Sequence, residues 1–113
     1  MTATASEHVS CRSVDEVVDA VRSARADRTP LRITSGGTWL SAGYPVPAER
    51  TLGLAELRGI TEYVPGDLTL TAHAGTTLEE LESATAQHRQ WLALDPFGDP
   101  RGTLGATLAT ASA

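Results

Sequence analysis

The sequence predicts a single α+β domain, and three observations carry that prediction. Ser13 with Glu16, and Thr76 with Glu79, have the spacing at which a hydroxyl and a carboxylate each satisfy an orphan backbone donor of a helix start. Between them, residues 60–64 and 68–74 alternate apolar with polar side chains about Pro65-Gly66-Asp67, the pattern of a β-hairpin. A length of 113 residues, 41% of them hydrophobic, supplies material for one core and not for two.

Each element follows in order. Residues 1–12 read as a tail. Val14, Val17, Val18 and Val21 then recur on one helical face, with Asp15, Asp19, Arg22 and Arg25 toward water, so an amphipathic helix is expected over 14–26. Thr29-Pro30 ends it, because the residue before a proline is pushed out of the helical region. Leu31-Arg32-Ile33-Thr34 reads as a short strand, 35–47 as a loop rich in Gly and Pro, and 51–54 as a second strand. At the hairpin, Pro65 fixes its own φ and Gly66 is expected to take a positive φ, as in a type II turn. Gly75 interrupts the alternation. Thr76 is the expected cap of a second helix carrying Leu78, Leu81 and Ala84 and ending near His88. Trp91 to Leu94 reads as a short strand or extended run, 95–102 as a loop, and Thr103 as the start of a last helix.

Composition excludes several function classes. A net charge of -5 and the absence of lysine oppose a nucleic-acid surface, which needs clustered cations for phosphate contact. Aromatic residues make up 4% of the chain, too few to offer stacking platforms for bases. The single cysteine, Cys11, forms no internal disulfide and has no metal-ligand spacing, and it reads as a buried or half-buried thiol. His8, His73 and His88 are not spaced with further ligands, so no metal site is expected, and Glu79, Glu80 and Glu82 read as a solvated helix face. The first residues have neither a basic stretch nor an apolar core of a leader, and no run approaches a membrane span. The expected compartment is a reducing cytoplasm.

Two motifs invite a ligand. Ser35-Gly36-Gly37-Thr38 follows a strand, and paired glycines let backbone N–H groups approach phosphate oxygens without interference from Cβ, while Ser35 and Thr38 can add hydroxyl donors. The same pair also suits a plain turn. It is neither a Walker loop, which requires a lysine, nor the dinucleotide G-x-G-x-x-G spacing. Thr103-Leu104-Gly105-Ala106 opens a helix of small residues, and a glycine there, costing about 1 kcal/mol relative to alanine, calls for a reason. Close approach of a ligand or of another backbone would supply one, and so would helix packing. Two such places on one acidic domain suggest that an extended dinucleotide lies across it.

In their fixed order, these residues resemble the FAD-binding domain of the PCMH type, the vanillyl-alcohol oxidase superfamily, and most closely its glycolate oxidase FAD-binding subunits. The likeness runs from Ser13-Val14-Asp15-Glu16 through 31–38, 67–81 and Gln90-Trp91-Leu92-Ala93-Leu94-Asp95-Pro96 to Thr103-Leu104-Gly105-Ala106, nearly the whole chain. It implies an N-terminal α/β subdomain over about 13–64 and the start of a second over about 65–113. It also implies FAD as cofactor, with Ser35, Gly36, Gly37 and Thr38 on the pyrophosphate, Pro96 near the flavin, and Thr103, Leu104, Gly105 and Ala106 against the cofactor through backbone and small side chains. Some relatives carry a flavin-linking histidine just after the paired glycines. Thr38 stands there in this chain, so FAD is expected to be held non-covalently. Ala106 replaces a glycine that many relatives have, which relaxes the approach at that point.

The implied activity is oxidation of a 2-hydroxy acid such as glycolate by hydride transfer to FAD. A different alcohol, sugar or lactone as substrate stays open, as does a non-catalytic FAD-carrying subunit of a multi-subunit oxidase that includes an iron-sulfur subunit. A plain α+β module without cofactor is the reading outside the family. Relatives continue into further strands and a substrate domain, so the chain is expected to be part of a longer protein, with the catalytic residues elsewhere. Alone, it is expected to fold loosely and bind FAD weakly.

Overall fold

The computed structural model describes residues 7–35, 50–93 and 101–110. Its first layer is a parallel three-stranded sheet of β1 (Glu7–Ser10), β2 (Leu31–Thr34) and β3 (Arg50–Gly53), in the order β1-β3-β2. Val9 and Ile33 both lie opposite Leu52, so the two outer strands share a register on the central one. The segment expected to be a tail thus supplies a strand. Four residues, Glu-His-Val-Ser, carry too little periodicity to announce it, and the pairing that makes it a strand comes from β3, more than 40 residues away. The His8 ring lies over Gly53, where an added Cβ would come within 2.9 Å of Nε2.

Helix α1 (Val14–Ala26) connects β1 to β2. Ser13 Oγ accepts the Glu16 N–H at 3.2 Å, and the Glu16 carboxylate reaches back to the Arg12 N–H at 2.8 Å, so the expected cap forms with the carboxylate one residue further upstream than in the usual box. The helix stops before Pro30 exerts its influence. Arg28 takes φ 53°, its N–H donates to Arg25 O and the Thr29 N–H to Ala24 O, which is a Schellman ending with arginine where glycine is usual. The valine stripe is only partly covered: Val14, Val18 and Val21 stay exposed, and Ala24 is the buried residue of the helix. Arg50, 14% exposed at its side chain, binds Glu7 and Asp27 at 3.2 Å each, and so ties β3, β1 and the end of α1 together.

The second sheet is the expected hairpin, β4 (Ile60–Val64) with antiparallel β5 (Thr69–Ala72), irregular between Ile60 and Glu62. Its turn differs from expectation. Pro65–Asp67 is one turn of 3-10 helix, the Leu68 N–H donates to Pro65 O, and Leu68, not Gly66, takes the positive φ, at 57°. Proline at the first position sets the φ of a helical turn as readily as that of a type II turn, and the strain passes to the residue that closes it. Beside the turn, the Gln90 side chain donates to Pro65 O at 2.8 Å and accepts from the Tyr63 hydroxyl, while Tyr63 meets the His88 ring edge-on.

Helix α2 (Leu78–Ala86) is capped by Thr77, whose hydroxyl accepts the Glu80 N–H at 3.1 Å; the expected cap, Thr76, lies one residue too early. The doublets Thr76-Thr77 and Glu79-Glu80 offer the same spacing twice, and burial decides between them: Thr76 is wholly buried and bonds elsewhere. Residues 91–93 form no strand, and Trp91 is 77% exposed. The last element is α3 (Leu104–Thr110). Among the described residues, Leu52, Leu57, Leu81, Cys11 and Ala24 are the buried apolar side chains, and Thr76, Thr85, Thr103 and Thr107 are buried with them. No described helix is long and apolar enough to cross a membrane.

Candidate functional site

The end of β2 and the start of α3, distant along the chain, are linked through a hydrogen-bonded seam. It begins where β2 ends. The Leu54 N–H donates to Thr34 O at 2.8 Å, so the exit of β2 is held against the start of the 54–59 turn. Ser35 is the next residue, and its Oγ is buried with no hydrogen-bond partner. A buried hydroxyl without a partner is costly unless something else completes it.

The middle of the seam is backbone on backbone. Leu57 N–H donates to Leu54 O at 3.0 Å, and Gly75 N–H donates to Leu57 O at 2.8 Å. A Cβ on residue 75 would lie 2.1 Å from Leu54 O and 2.6 Å from Leu57 O, so only glycine fits. Next to it, the Thr76 hydroxyl accepts the Gly59 N–H at 2.9 Å and lies 3.3 Å from Gly59 O, to which it donates. Gly59 sits at φ +122°, a region that side-chain-bearing residues rarely enter, and its carbonyl also accepts the His73 N–H at 3.0 Å. An ion pair between Arg58 and Glu80 adds a link from this turn to the first turn of α2.

The far end of the seam is the second motif. Thr76 O accepts the Leu104 N–H at 2.8 Å, Ala74 O accepts the Gly105 N–H at 3.0 Å, and the Leu78 N–H donates to Gly102 O at 2.9 Å, with Thr77 and Thr103 bridged antiparallel. Thr103 caps α3 by accepting the Ala106 N–H at 3.2 Å. The Thr107 hydroxyl donates back to Thr103 O at 2.8 Å. Gly105 lies so near Ala74 that a Cβ would come within 2.8 Å of the alanine methyl. Of the reasons the sequence left open for that glycine, close approach of another backbone is the one seen. The N–H groups of Leu104, Gly105 and Ala106 are therefore all spent inside the protein.

Of the expected site residues, the structure thus places Ser35 at the end of β2 and Thr103, Leu104, Gly105 and Ala106 at the start of α3, linked through Leu54, Leu57 and 74–76. Gly36, Gly37, Thr38 and Pro96 lie outside the described residues. Sequence reading passed over Gly59, Gly75 and Thr76 as parts of this arrangement. Gly75 did signal itself by breaking the hairpin alternation. Burial, and after it the Glu16 carboxylate, push the Cys11 thiol above its ordinary 9.0, and the Arg50 guanidinium is raised first by its hydrogen bond to Asp27; both lie among the residues around α1 and the parallel sheet, not in the seam. Among the described residues, no group of three or more His, Cys, Asp or Glu side chains is placed to hold a metal ion.

The chemistry on offer is neutral. An orphaned hydroxyl at the end of a parallel strand, followed in sequence by paired glycines, fits a phosphate-bearing ligand.

The chain is similar to the glycolate oxidase subunit GlcE of Escherichia coli (strain K12), with 34% identity over 86 residues, 76% of this chain and 24% of that protein. Its fold is similar to the crystal structure of aclacinomycin oxidoreductase, with a TM-score of 0.61 and 25% identity over 84% of this chain and 19% of that one. The chain spans about a quarter of the curated relative and about a fifth of the solved one. The family described as FAD binding domain matches residues 6–113. With that match over nearly its full length, the chain belongs to the FAD binding domain family.

Proposed function

We propose that this domain holds FAD, non-covalently, within a flavin-dependent oxidoreductase that oxidises a 2-hydroxy acid such as glycolate. The observation that carries the reading is the buried Ser35 hydroxyl, left without a partner at the mouth of β2 and joined by the seam to the α3 start. In this reading Ser35, Gly36, Gly37 and Thr38 hold the pyrophosphate, Pro96 lies near the flavin, and the segment Thr103, Leu104, Gly105 and Ala106 lies against the cofactor through backbone and small side chains. FAD, when bound, supplies the two-electron acceptor for hydride from the carbon bearing the substrate hydroxyl. The domain's own residues bind and orient; the proton acceptor for the substrate hydroxyl belongs to the rest of the whole protein. Thr38, a residue that forms no bond to the flavin ring, favours reversible attachment. The 2-hydroxy acid follows the relative GlcE, named for glycolate oxidase. A reducing cytoplasm is part of the same proposal, in keeping with one cysteine in 113 residues.

The test is the visible absorption spectrum of the whole protein, followed by acid precipitation. A flavin spectrum whose yellow colour passes entirely into the supernatant supports the reading. No flavin, or flavin that stays with the pellet, contradicts it. Bleaching by glycolate or lactate without oxygen then identifies the substrate class.

A second reading is favoured by the relative's being a subunit: the domain could belong to an FAD-carrying chain without turnover of its own, assembled with other oxidase subunits, one of them an iron-sulfur protein. Co-purification with such chains, and no turnover by the isolated whole protein with an artificial electron acceptor, would favour this reading over the first.

A further inference from the structure

We infer that Thr76 is a positioning residue that fixes the separation of Ser35 from the start of α3, and thereby the affinity for FAD. The inference rests on the proposed FAD site and concerns a residue that does not itself contact the cofactor. Thr76 is wholly buried and is bonded in two directions. Its hydroxyl holds Gly59 by both backbone groups, at 2.9 Å to the N–H and 3.3 Å to the carbonyl. Its own carbonyl takes the Leu104 N–H at 2.8 Å. The 54–59 turn is in turn bonded to Thr34, the residue before Ser35, through Leu54. One residue therefore joins the turn that abuts the β2 exit, through its hydroxyl, to the start of α3, through its carbonyl.

A threonine is well suited to this place. The hydroxyl can accept from one group and donate to another, while its β-branch leaves few χ1 rotamers to lose on ordering. The left-handed Gly59 it holds has no side chain to fix it, and an added Cβ there would find nothing within 4 Å. The Gly59 conformation is thus set by backbone bonds, with the Thr76 hydroxyl on both of its polar groups. A site that must meet a long ligand at two ends gains affinity when those ends are held at the right separation beforehand.

The experiment compares FAD binding to the deflavinated whole protein by fluorescence titration for wild type, Thr76→Val and Thr76→Ser. Valine keeps the shape and removes the hydroxyl; serine restores it. The expected result is an FAD Kd raised about tenfold in Thr76→Val, one 1.4 kcal/mol step, and restored to within about twofold in Thr76→Ser. A wild-type Kd in a folded Thr76→Val protein overturns the inference while leaving the FAD reading intact. Failure of the wild type to bind FAD removes both. If Thr76→Val does not fold, amide hydrogen exchange in the wild type decides. Because coupling between sites is reciprocal, FAD should slow exchange at Gly59 and Leu104 by a common factor, and protection of Leu104 with Gly59 unchanged overturns the inference.

Discussion

Gly75→Ala tests the seam where the structure leaves it least room. The added methyl carbon would stand 2.1 Å from Leu54 O, and ordinary contact begins near 3.4 Å, so one of the two backbones must retreat by the difference of 1.3 Å. Both groups are main chain and cannot rotate away. A retreat of that size takes the Gly75 N–H beyond bonding range of Leu57 O, now 2.8 Å distant, and loosens the adjoining Thr76–Gly59 pair. One buried hydrogen bond left unmade costs about 1–3 kcal/mol. Backbone displacement by overpacking adds about 1–3 kcal/mol. A total of about 4 kcal/mol corresponds to a fall in Tm of about 8–16 °C for a folding unit of about 150–250 residues, and more for a smaller one. Thermal unfolding of the whole protein without FAD reads the effect, with Gly66→Ala as control: nothing lies within 4 Å of that site and its φ is not positive. The control is expected to change stability by less than about 1 kcal/mol. A loss below about 2 °C for Gly75→Ala, or a loss for Gly66→Ala as large as that for Gly75→Ala, would refute the reasoning.

Further outcomes follow from the same contacts. Gly105→Ala gains about 1 kcal/mol of helix propensity but drives its methyl to 2.8 Å from that of Ala74; with overpacking at about 1–3 kcal/mol, a net loss near 1 kcal/mol is expected. Placing it in an Ala74→Gly background should reverse the sign of its effect, as a double-mutant cycle by urea unfolding would record. The Cys11 thiol, raised above 9.0 by burial and then by Glu16, keeps its proton in the folded state where the unfolded chain releases it. Its contribution to stability is therefore complete below that pH and is lost as pH rises through it. Melting curves between about pH 8 and 10 should fall more steeply for wild type than for Cys11→Ala. Equal slopes would count against it.

The sequence made the local elements legible and the long-range ones not. Helix α1 was readable end to end because Ser13, Glu16 and the valines all act within a few residues of one another. Strand β1 was not, since Glu7–Ser10 becomes a strand only through β3. The hairpin was readable, but its turn was misassigned because Pro-Gly serves a 3-10 turn as well as a type II turn, and Leu68 accepts the strained conformation. At the site, Ser35 and the α3 start could be named, yet the reason for Gly105 lay in Ala74, and that for Gly75 in two carbonyls of the 54–57 turn. Such contacts leave a glycine in the sequence and nothing more. The apolar stripe of α1 forecast a buried face, and Val14, Val18 and Val21 are instead exposed in the chain described.

The central claim is that the β2 exit beginning at Ser35 holds the FAD pyrophosphate, and the Ser35→Ala variant of the whole protein tests it most directly. Ser35 Oγ is buried without a partner, so removing it should leave the FAD-free protein as stable as wild type or slightly more so. Loss of a hydrogen bond to a charged phosphate, worth about 1.5–3 kcal/mol, should at the same time weaken FAD binding by about 10- to 100-fold. Unchanged FAD affinity in a protein of unchanged stability would contradict the claim.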